Sequence, residues 1–394
     1  MKYLFVLGNH PHISLAELEN FFGKERLSLI NKNIAILKTE KINPIKTIKS
    51  LGGIIKIASL ETSVADGDKA LKKALAEIAL KKAKKQTGKF KFGLSSYSPN
   101  IGNTHKLGLE IKKELKAEGM SSRLVTSKEK TLSSVVVETN NLARNGLEII
   151  LAKKQNQILI GQTLTVQDFR SLSDRDYGRP QRDSHSGMLP PKLAQIMINL
   201  GGIKNPGKAL LLDPFCGSGT ILAEATLSGW QNLIGTDTSE KAIQDTKANL
   251  SWLREKHGLK EINLKIFKEK AENLSAKFDS SSIDLIVTEP YLGPQRGEID
   301  FSQVVSELEK LYTLFLKEAE KILKPGGKIV MIWPVFQNGS VFLNPTVKNL
   351  KKKEPLDKNL ITPNSKDYIK TRKSLLYYRS GQKVWREIVI LQKS

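Results

Sequence analysis

A glycine-rich loop in the second half of the sequence has the clearest chemical pattern. An apolar run ends at Asp213, and residues 213–220 read Asp-Pro-Phe-Cys-Gly-Ser-Gly-Thr. Glycine lets the main chain approach a ligand closely, and the amides at the start of a following helix attract a carboxylate or phosphate. The pattern therefore predicts a cofactor-binding loop. Its candidate binding residues are Asp213, Pro214, Phe215, Gly217, Gly219 and Thr220.

A carboxylate further along narrows the choice of cofactor. Asp237 follows Gly217 by 20 residues, at the end of the next apolar run, where it can accept hydrogen bonds from both hydroxyls of a ribose. A dinucleotide-binding loop would have a third glycine where Leu222 stands, and a P-loop would need Gly-Lys-Ser/Thr. The pattern instead matches the loop that binds S-adenosylmethionine, with Asp213 near the methionine amine. A glycine turn without a ligand is the alternative.

A second candidate site follows a later apolar run, at residues 287–293. The amine of a nucleic-acid base is a weak nucleophile, so its methylation needs an acceptor for the amino proton and an aromatic face for the base. Tyr291 fits the stacking role, and the carbonyl or the carboxylate of Glu289 fits the acceptor role. Methyltransferases of this kind usually carry Asp/Asn/Ser-Pro-Pro-Tyr/Phe here, and a strand-ending turn is the alternative. The candidate catalytic residues are Thr288, Glu289, Pro290 and Tyr291.

The composition excludes several classes of protein. The single cysteine, Cys216, provides neither a disulfide framework nor a cysteine zinc site. Its place in the loop favours a small buried residue over the covalent nucleophile that methylation at pyrimidine carbon 5 requires. No apolar run reaches the roughly 18 residues that span a bilayer, and the N-terminal run is too short for a signal peptide. We therefore expect a cytoplasmic protein with no membrane contact and no metal.

The charge indicates an anionic partner. The chain has a formal net charge of +23, which suits a polyanion, although a general lysine bias is an alternative. Four of the 12 arginines fall within residues 170–182, and guanidinium groups bind phosphates or carboxylates through paired hydrogen bonds. An internal role beside Asp174, Asp176 and Asp183 is the alternative. The candidate residues for the anionic contact are Arg175, Arg179 and Arg182.

The elements that must position these residues alternate between strand and helix in the second half of the chain. The predicted strands are 209–212, 233–235, 263–267, 283–287, 328–333, 374–379 and 384–391, and the predicted helices begin near 220 or cover 240–255 and 304–323. This order predicts an α/β, doubly wound, seven-stranded sheet with one antiparallel edge strand. The first half of the chain indicates a compact α+β region, with a strand predicted at 133–138 among others. In the second half, the lysine-rich stretch 344–373 is typical of an insertion.

With these motifs the chain resembles the THUMP-domain tRNA guanosine N2-methyltransferases that modify guanosine 10. The runs 3–8 and 61–165 are similar to the ferredoxin-like and THUMP segments of that family, and 176–194 is similar to the segment that leads into its catalytic domain. The resemblance implies four parts. These are an N-terminal ferredoxin-like domain (1–60), a THUMP RNA-binding domain (61–165), a linker (166–186) and a Rossmann-like methyltransferase domain (187–394).

The resemblance also implies a cofactor, a partner and further site residues. It implies S-adenosylmethionine, with Met188 and Leu189 beside it and the main chain of Ala271 at the adenine, although Glu272 departs from the family pattern there. It implies tRNA as the partner, with the three candidate arginines as RNA-binding residues and the N2 amine of guanosine as the acceptor. An rRNA guanine or another base amine is one alternative, and a non-catalytic RNA-binding protein with a degenerate methyltransferase fold is another. Nothing in the sequence identifies an activating subunit.

Overall fold

The computed structural model describes residues 1–182, 188–294, 300–363, 365–379 and 381–394. The chain divides into two compact units. The first comprises Met1–Pro11 and Phe22–Phe169, and the second comprises His12–Phe21 and Arg170–Ser394. Within the described ranges, no helix is long and apolar enough to cross a membrane.

The first unit is built on a mixed sheet of eight strands. Its strands are β1 (Lys2–Leu7), β2 (Leu27–Asn31), β3 (Ile34–Lys38), β4 (Ile54–Ala65), β5 (Phe90–Ser96), β6 (Ser122–Leu124), β7 (Leu147–Lys154) and β8 (Gln157–Val166). Helices in this part of the chain are α1 (Pro11–Phe22), α2 (Pro44–Lys49), α3 (Asp68–Ala83), α4 (Thr104–Ala117) and α5 (Ser134–Thr139). The strand order is β2-β3-β1-β4-β8-β7-β5-β6. Both predicted N-terminal domains contribute strands to this sheet, and the boundary between them stays a prediction.

Helix α5 covers Ser134–Thr139, so the strand predicted at 133–138 from its valines is wrong. The Ser133 hydroxyl caps helix α5 by accepting a hydrogen bond from the Val136 amide at 3.3 Å. Val137 is fully buried in an apolar cluster. The cap and the burial of this side chain outweigh the preference of β-branched residues for strands.

The second unit is built on a larger, mixed sheet. The helices in this part of the chain are α6 (Phe169–Tyr177), α7 (Pro191–Leu200), α8 (Thr220–Leu227), α9 (Glu240–His257) and α10 (Phe301–Ile322). Its strands are β9 (Leu210–Asp213), β10 (Asn232–Asp237), β11 (Asn263–Lys268), β12 (Ile283–Thr288), β13 (Leu323–Phe336), β14 (Val341–Phe342), β15 (Leu350–Lys352), β16 (Tyr368–Ile369), β17 (Ser374–Tyr377) and β18 (Trp385–Lys393).

The order of these strands confirms the predicted α/β, Rossmann-like fold. It is β11-β10-β9-β12-β13-β18-β17-β16, and β18 is antiparallel to β13 and to β17. The seven predicted strands run without interruption from β11 to β17, and the antiparallel strand β18 lies inside the sheet, so its predicted place at an edge is wrong. The sheet has ten strands rather than seven, because the short strands β14, β15 and β16 add to it.

The register of the parallel strands brings three polar residues to one edge of the sheet. Strand β9 pairs in parallel with β10 on one side and with β12 on the other. Their last residues are Asp213, Asp237 and Thr288. Parallel strands end at the same edge of a sheet. A ligand site is expected at the point of this edge between β9 and β12, because the chain builds the sheet outward in opposite directions from there.

Residues 12–21 of helix α1 belong to the second unit. The side-chain amide of Asn199 donates to Glu17 Oε1 at 2.7 Å, and His12 Nδ1 lies 2.6 Å from Asp367 Oδ1. These bonds join sequence positions far apart, and a sequence pattern does not show them. The predicted division counted this helix with the first domain.

Candidate active site

A cavity of about 850 Å³ lies at this edge of the sheet of the second unit. Its volume falls within the range of small-molecule sites, about 300–1,000 Å³. Residues predicted for the cofactor and for the target base line it together, namely Met188, Leu189, Ala271, Glu289, Pro290 and Tyr291. Sequence reasoning did not single out Ser239 or Leu311, which also line it, because neither belongs to a chemical motif.

The glycine-rich loop forms one wall of the cavity. Asp213, Pro214, Phe215, Gly217 and Thr220 line it. Gly217 and Gly219 have φ values of 51° and 83°, in the left-handed region that glycine adopts readily. A Cβ on Gly219 would lie 2.9 Å from the Thr246 side chain, whereas a Cβ on Gly217 would meet nothing within 4 Å. Gly219 therefore packs against helix α9, whereas Gly217 borders open space in the cavity.

Asp213 is a buried carboxyl group in the floor of the site. It is only 1% exposed, and its Oδ1 accepts hydrogen bonds from the Thr288 hydroxyl at 2.8 Å and from the Phe215 amide at 3.3 Å. Burial raises the pKa of Asp213 to about 7, and the nearby charges of Asp237 and Glu289 add to this effect. A cation in the cavity would favour the ionised form.

Asp237 is held by two main-chain amides. Its Oδ2 accepts from Gly217 at 3.0 Å and its Oδ1 from Ser239 at 2.9 Å. A carboxylate has about four acceptor positions, so each oxygen retains one. The geometry therefore fixes Asp237 at the cavity wall and leaves it able to accept two further hydrogen bonds.

The role predicted for Thr288 at the target base is wrong. Its side chain is fully buried and does not line the cavity. Because Thr288 ends a central strand, its hydroxyl meets Asp213 on the neighbouring strand. Thr288 orients the cofactor-site carboxyl group.

The motif at residues 289–291 presents an acceptor and an aromatic ring to the cavity. Arg386 Nε of strand β18 donates to Glu289 Oε1 at 2.6 Å, and both side chains are about nine-tenths buried. The Tyr312 hydroxyl donates to the Tyr291 carbonyl at 2.8 Å. The Tyr291 side chain remains 57% exposed, so its ring is accessible. Sequence reasoning missed Arg386 and Tyr312, which act through contacts between distant segments.

The three candidate arginines have different environments. Arg175 forms a bidentate ion pair with the buried carboxylate of Glu224. Arg179 is buried and donates to the Thr220 hydroxyl at 2.7 Å. Both agree with the alternative of an internal role. Their hydrogen bonds go to Glu224 and Thr220, while Asp174 lies near Arg175 and Asp176 near Arg179 as opposite charges. Asp183 lies outside the described residues. Arg182 is exposed, lines the cavity and stacks over the Tyr177 ring, and only its RNA contact stays a prediction.

The arrangement fits one kind of small molecule well. Asp213 suits an ammonium group and Asp237 suits a ribose diol, while the open space above Gly217 admits the ligand. Burial raises the pKa of Cys216 far above its ordinary range, which agrees with a filler and not with a nucleophile. Among the described residues, no group of three or more metal-ligating side chains could hold a metal ion. These residues therefore fit the predicted cofactor.

Comparisons with known proteins also indicate a methyltransferase. The UPF0020 model, described as an RMKL-like methyltransferase domain, matches residues 179–353, and a model described as a DNA methylase matches residues 57–248. The tRNA (guanine(10)-N2)-dimethyltransferase of Methanothermobacter thermautotrophicus is 35% identical over 150 residues, 38% of this chain and 40% of that protein. The chain thus matches less than half the length of that relative.

Two further proteins extend the comparison. A protein of Methanothermococcus thermolithotrophicus named "Probable tRNA (guanine(10)-N2)-dimethyltransferase" is 32% identical over 139 residues, 33% of this chain and 82% of that one. The crystal structure of TrmN from Thermus thermophilus is 17% identical, with a TM-score of 0.57 over 100% of both chains. That structure shares the fold.

Proposed function

Because this chain belongs to the UPF0020 family of S-adenosylmethionine-dependent methyltransferases, we propose that it methylates the N2 amine of a guanosine in tRNA, at position 10. The observation that carries the proposal is the Glu289–Tyr291 motif, which sets an acceptor held by Arg386 beside an accessible aromatic ring on the wall of the cofactor cavity. The names of the relatives support guanosine N2 and position 10.

The loop residues bind and orient the methyl donor. The Asp213 carboxylate accepts from the ammonium of its methionine moiety, and Asp237 accepts from the two ribose hydroxyls. Ala271, which is buried and lines the cavity, would contact the adenine through its main chain. When bound, S-adenosylmethionine supplies an electrophilic methyl group on a sulfonium. The apolar side chains of Leu189 and Leu292, both buried at the cavity wall, exclude water.

Glu289 favours guanine over adenine as the target. The edge of guanine offers two adjacent donors, N1–H and the N2 amine, and a carboxylate accepts from both. The corresponding edge of adenine offers one donor and one acceptor, and the acceptor would face the carboxylate unfavourably. The bond from N2 to the methyl carbon forms as the bond from that carbon to the sulfonium sulfur breaks and leaves a neutral thioether. The amine also loses a proton, and the Glu289 carboxylate would take it.

Methylation of unmodified tRNA transcripts tests the proposal. Mass spectrometry of the nucleosides should show N2-methylguanosine or N2,N2-dimethylguanosine, and a transcript with G10 replaced by adenosine should remain unmodified. The DNA methylase match favours a second candidate, an adenine amine in nucleic acid. N6-methyladenosine in the same assay would support that candidate, and methyl transfer to an rRNA fragment instead of tRNA would correct the substrate.

Tyr291 provides a sharper test of the site. Its ring is 57% exposed, so Tyr291→Ala removes the stacking face without opening the core. We expect methyl transfer to fall by about 100-fold, since stacking and positioning of the base are lost, while calorimetric affinity for S-adenosylmethionine is unchanged. Tyr291→Phe retains the ring and should retain most activity. A fully active Tyr291→Ala would overturn the assignment.

A further inference from the structure

The hairpin between strands β17 and β18 lies at the same edge of the sheet as the cavity. Strand β18 is antiparallel to β13, and β13 is parallel to β12, so Trp385 at the start of β18 and Tyr377 at the end of β17 lie at the edge where Thr288 ends β12. Tyr377 pairs directly with Arg386, and residues directly opposite each other on paired strands project to the same face of the sheet. Tyr377 therefore lies on the face where Arg386 donates to Glu289.

Arg379 of this hairpin has part of its guanidinium group available for a ligand. Its Nε donates to the Tyr377 hydroxyl at 2.8 Å, and the guanidinium carbon lies 5.5 Å from the centre of the Tyr377 ring. Arg379 is exposed. Among the described residues, Nη1 and Nη2 have no hydrogen-bond partner, and no carboxylate oxygen lies within 4.0 Å of the group. The Tyr377 oxygen accepts from Arg379 and retains its own hydrogen to donate, so both side chains can donate to one anion.

Contacts within the hairpin hold Arg379 in place. Its amide donates to Gln382 Oε1 at 3.1 Å, and its carbonyl accepts from the Gln382 amide at 3.2 Å. On the opposite face, Tyr378 stacks on Trp385 with ring centres 4.7 Å apart, and a Cβ on Gly339 would lie 2.7 Å from the Trp385 ring. Because these contacts restrain Arg379 before a ligand binds, less conformational entropy is lost on binding.

Lys192 brings a second positive charge to this place. It follows Leu189, which lines the cavity, by three residues in the chain. Burial lowers the pKa of Lys192, and the nearby charge of Arg379 adds to this effect, so the two cations lie close together. An anion between them would offset their repulsion, and phosphate oxygens are strong acceptors for a guanidinium group.

We propose that Tyr377, Arg379 and Lys192, which we call the hairpin patch, bind a phosphodiester of the substrate RNA next to the target nucleotide. The inference rests on the proposed function, because it positions the strand whose guanine reaches Glu289. A base that enters such a pocket leaves its stack, and the backbone on either side of it follows a new path over the protein. Contacts to the adjacent phosphate hold that path and fix the position of the nucleotide without reading its base.

Substrates with one neutral linkage test the assignment. The tRNA is assembled from synthetic oligonucleotides with a methylphosphonate in place of the phosphodiester on the 5′ or the 3′ side of the target guanosine, and fluorescence anisotropy gives the Kd for the full chain. Arg379→Gln should raise the Kd for unmodified tRNA by about 10-fold, as expected for a lost hydrogen bond to a charged group. It should also reduce the slope of log Kd against log salt concentration by about 1. With the neutral linkage on the contacted side, the same substitution should change the Kd by less than about 2-fold.

A matched control separates this contact from the overall charge of the chain. Lys260 is exposed and precedes strand β11, whose start lies at the opposite edge of the sheet. Lys260→Gln removes the same charge and should leave the Kd for each tRNA within about 2-fold of the wild type. The calorimetric affinity of Arg379→Gln for S-adenosylmethionine should equal that of the wild type, because Arg379 does not line the cavity, and this result shows that the variant is folded.

Two results would overturn the inference alone. One is an unchanged Kd of Arg379→Gln for unmodified tRNA, and the other is an equal loss for unmodified tRNA and for both tRNAs with a neutral linkage. In either case, methylation of tRNA by the wild type would leave the proposed function intact. A wild-type chain that neither binds nor methylates tRNA would overturn the inference and the proposed function together.

Discussion

At the scale of single residues, the burial of Asp213 links cofactor binding to pH. Burial raises its pKa from 3.8 to about 7. The neutral acid thus stabilises the ligand-free fold, a contribution that is complete below about pH 4 and is lost as the pH rises through about 7. An ammonium ligand needs the carboxylate, so we expect the Kd for S-adenosylmethionine to rise about tenfold per pH unit as the pH falls below about 7. Calorimetry between pH 5.5 and 8.5 measures this.

Asp213→Asn is the control for that pH dependence. The amide cannot ionise, so the variant should bind S-adenosylmethionine weakly at every pH. At pH 8, without ligand, its melting temperature should exceed that of the wild type because a buried charge is removed. A wild-type Kd that is constant across this pH range would contradict the role of Asp213.

In the proposed function Arg386 is a positioning residue, because it donates to Glu289 Oε1 and does not itself line the cavity. Arg386→Met should lower kcat by about 10- to 100-fold through loss of the acceptor position. The Kd for S-adenosylmethionine should stay within about 2-fold of the wild type, because the proposed function assigns Glu289 to the base and not to the cofactor. Single-turnover methylation kinetics and calorimetry measure the two quantities separately.

A second arginine, half-buried and paired with a buried glutamate, provides the matched control. Arg372 pairs with Glu387 through Nε at 2.7 Å and Nη2 at 2.9 Å, and neither of these residues lines the cavity. Arg372→Met should lower the free energy of unfolding by about 3 kcal/mol, like Arg386→Met, and should leave kcat unchanged at temperatures where the protein stays folded. Equal losses of kcat in the two variants would show that Arg386 only stabilises the fold.

At the scale of elements, the turn between β9 and α8 depends on two glycines with different surroundings. Both have left-handed φ values, and alanine there costs about 1 kcal/mol in backbone strain. A Cβ on Gly219 would also displace Thr246, whose hydroxyl donates to the Gly217 carbonyl at 2.7 Å. We therefore expect Gly219→Ala to lower the melting temperature more than Gly217→Ala. Thermal unfolding followed by circular dichroism measures both.

Cofactor binding gives the same two variants a second readout. A Cβ on Gly217 meets no protein atom within 4 Å, so Gly217→Ala should reduce affinity for S-adenosylmethionine mainly by occupying ligand space. Equal thermal losses in the two variants would show that contact with Thr246 does not restrain the loop.

At the scale of the whole molecule, a fragment covering only residues 170–394 lacks part of its own unit. Residues 12–21 belong to that unit, and Ile13, Leu15 and Leu18 are at most 1% exposed. We expect the fragment to unfold at lower temperature than the second unit of the full chain. A synthetic peptide of residues 11–22 should raise its melting temperature in a concentration-dependent manner, since it binds only the folded state. A fragment whose stability the peptide does not change would contradict this.

The cofactor loop could be predicted from the sequence because its chemistry is local. Asp213, the glycines and Asp237 lie at strand and helix ends, and their spacing reflects one strand–turn–helix–strand unit. The doubly wound α/β class could be predicted for the same reason, since strands that alternate with helices along the chain indicate a parallel sheet. The helix at 134–139 could not be predicted from its valines, because a cap and tertiary burial determined it.

The sequence by itself determined the sheet, the cofactor loop and the presence of Glu289 and Tyr291 after the fourth strand, because period and spacing are properties of the local chain. Only the tertiary structure decided where Thr288 points, that Arg179 is buried behind Thr220, and that Arg386 holds Glu289. These contacts join strands and segments far apart in sequence, and burial decides whether a charged side chain meets solvent or another side chain.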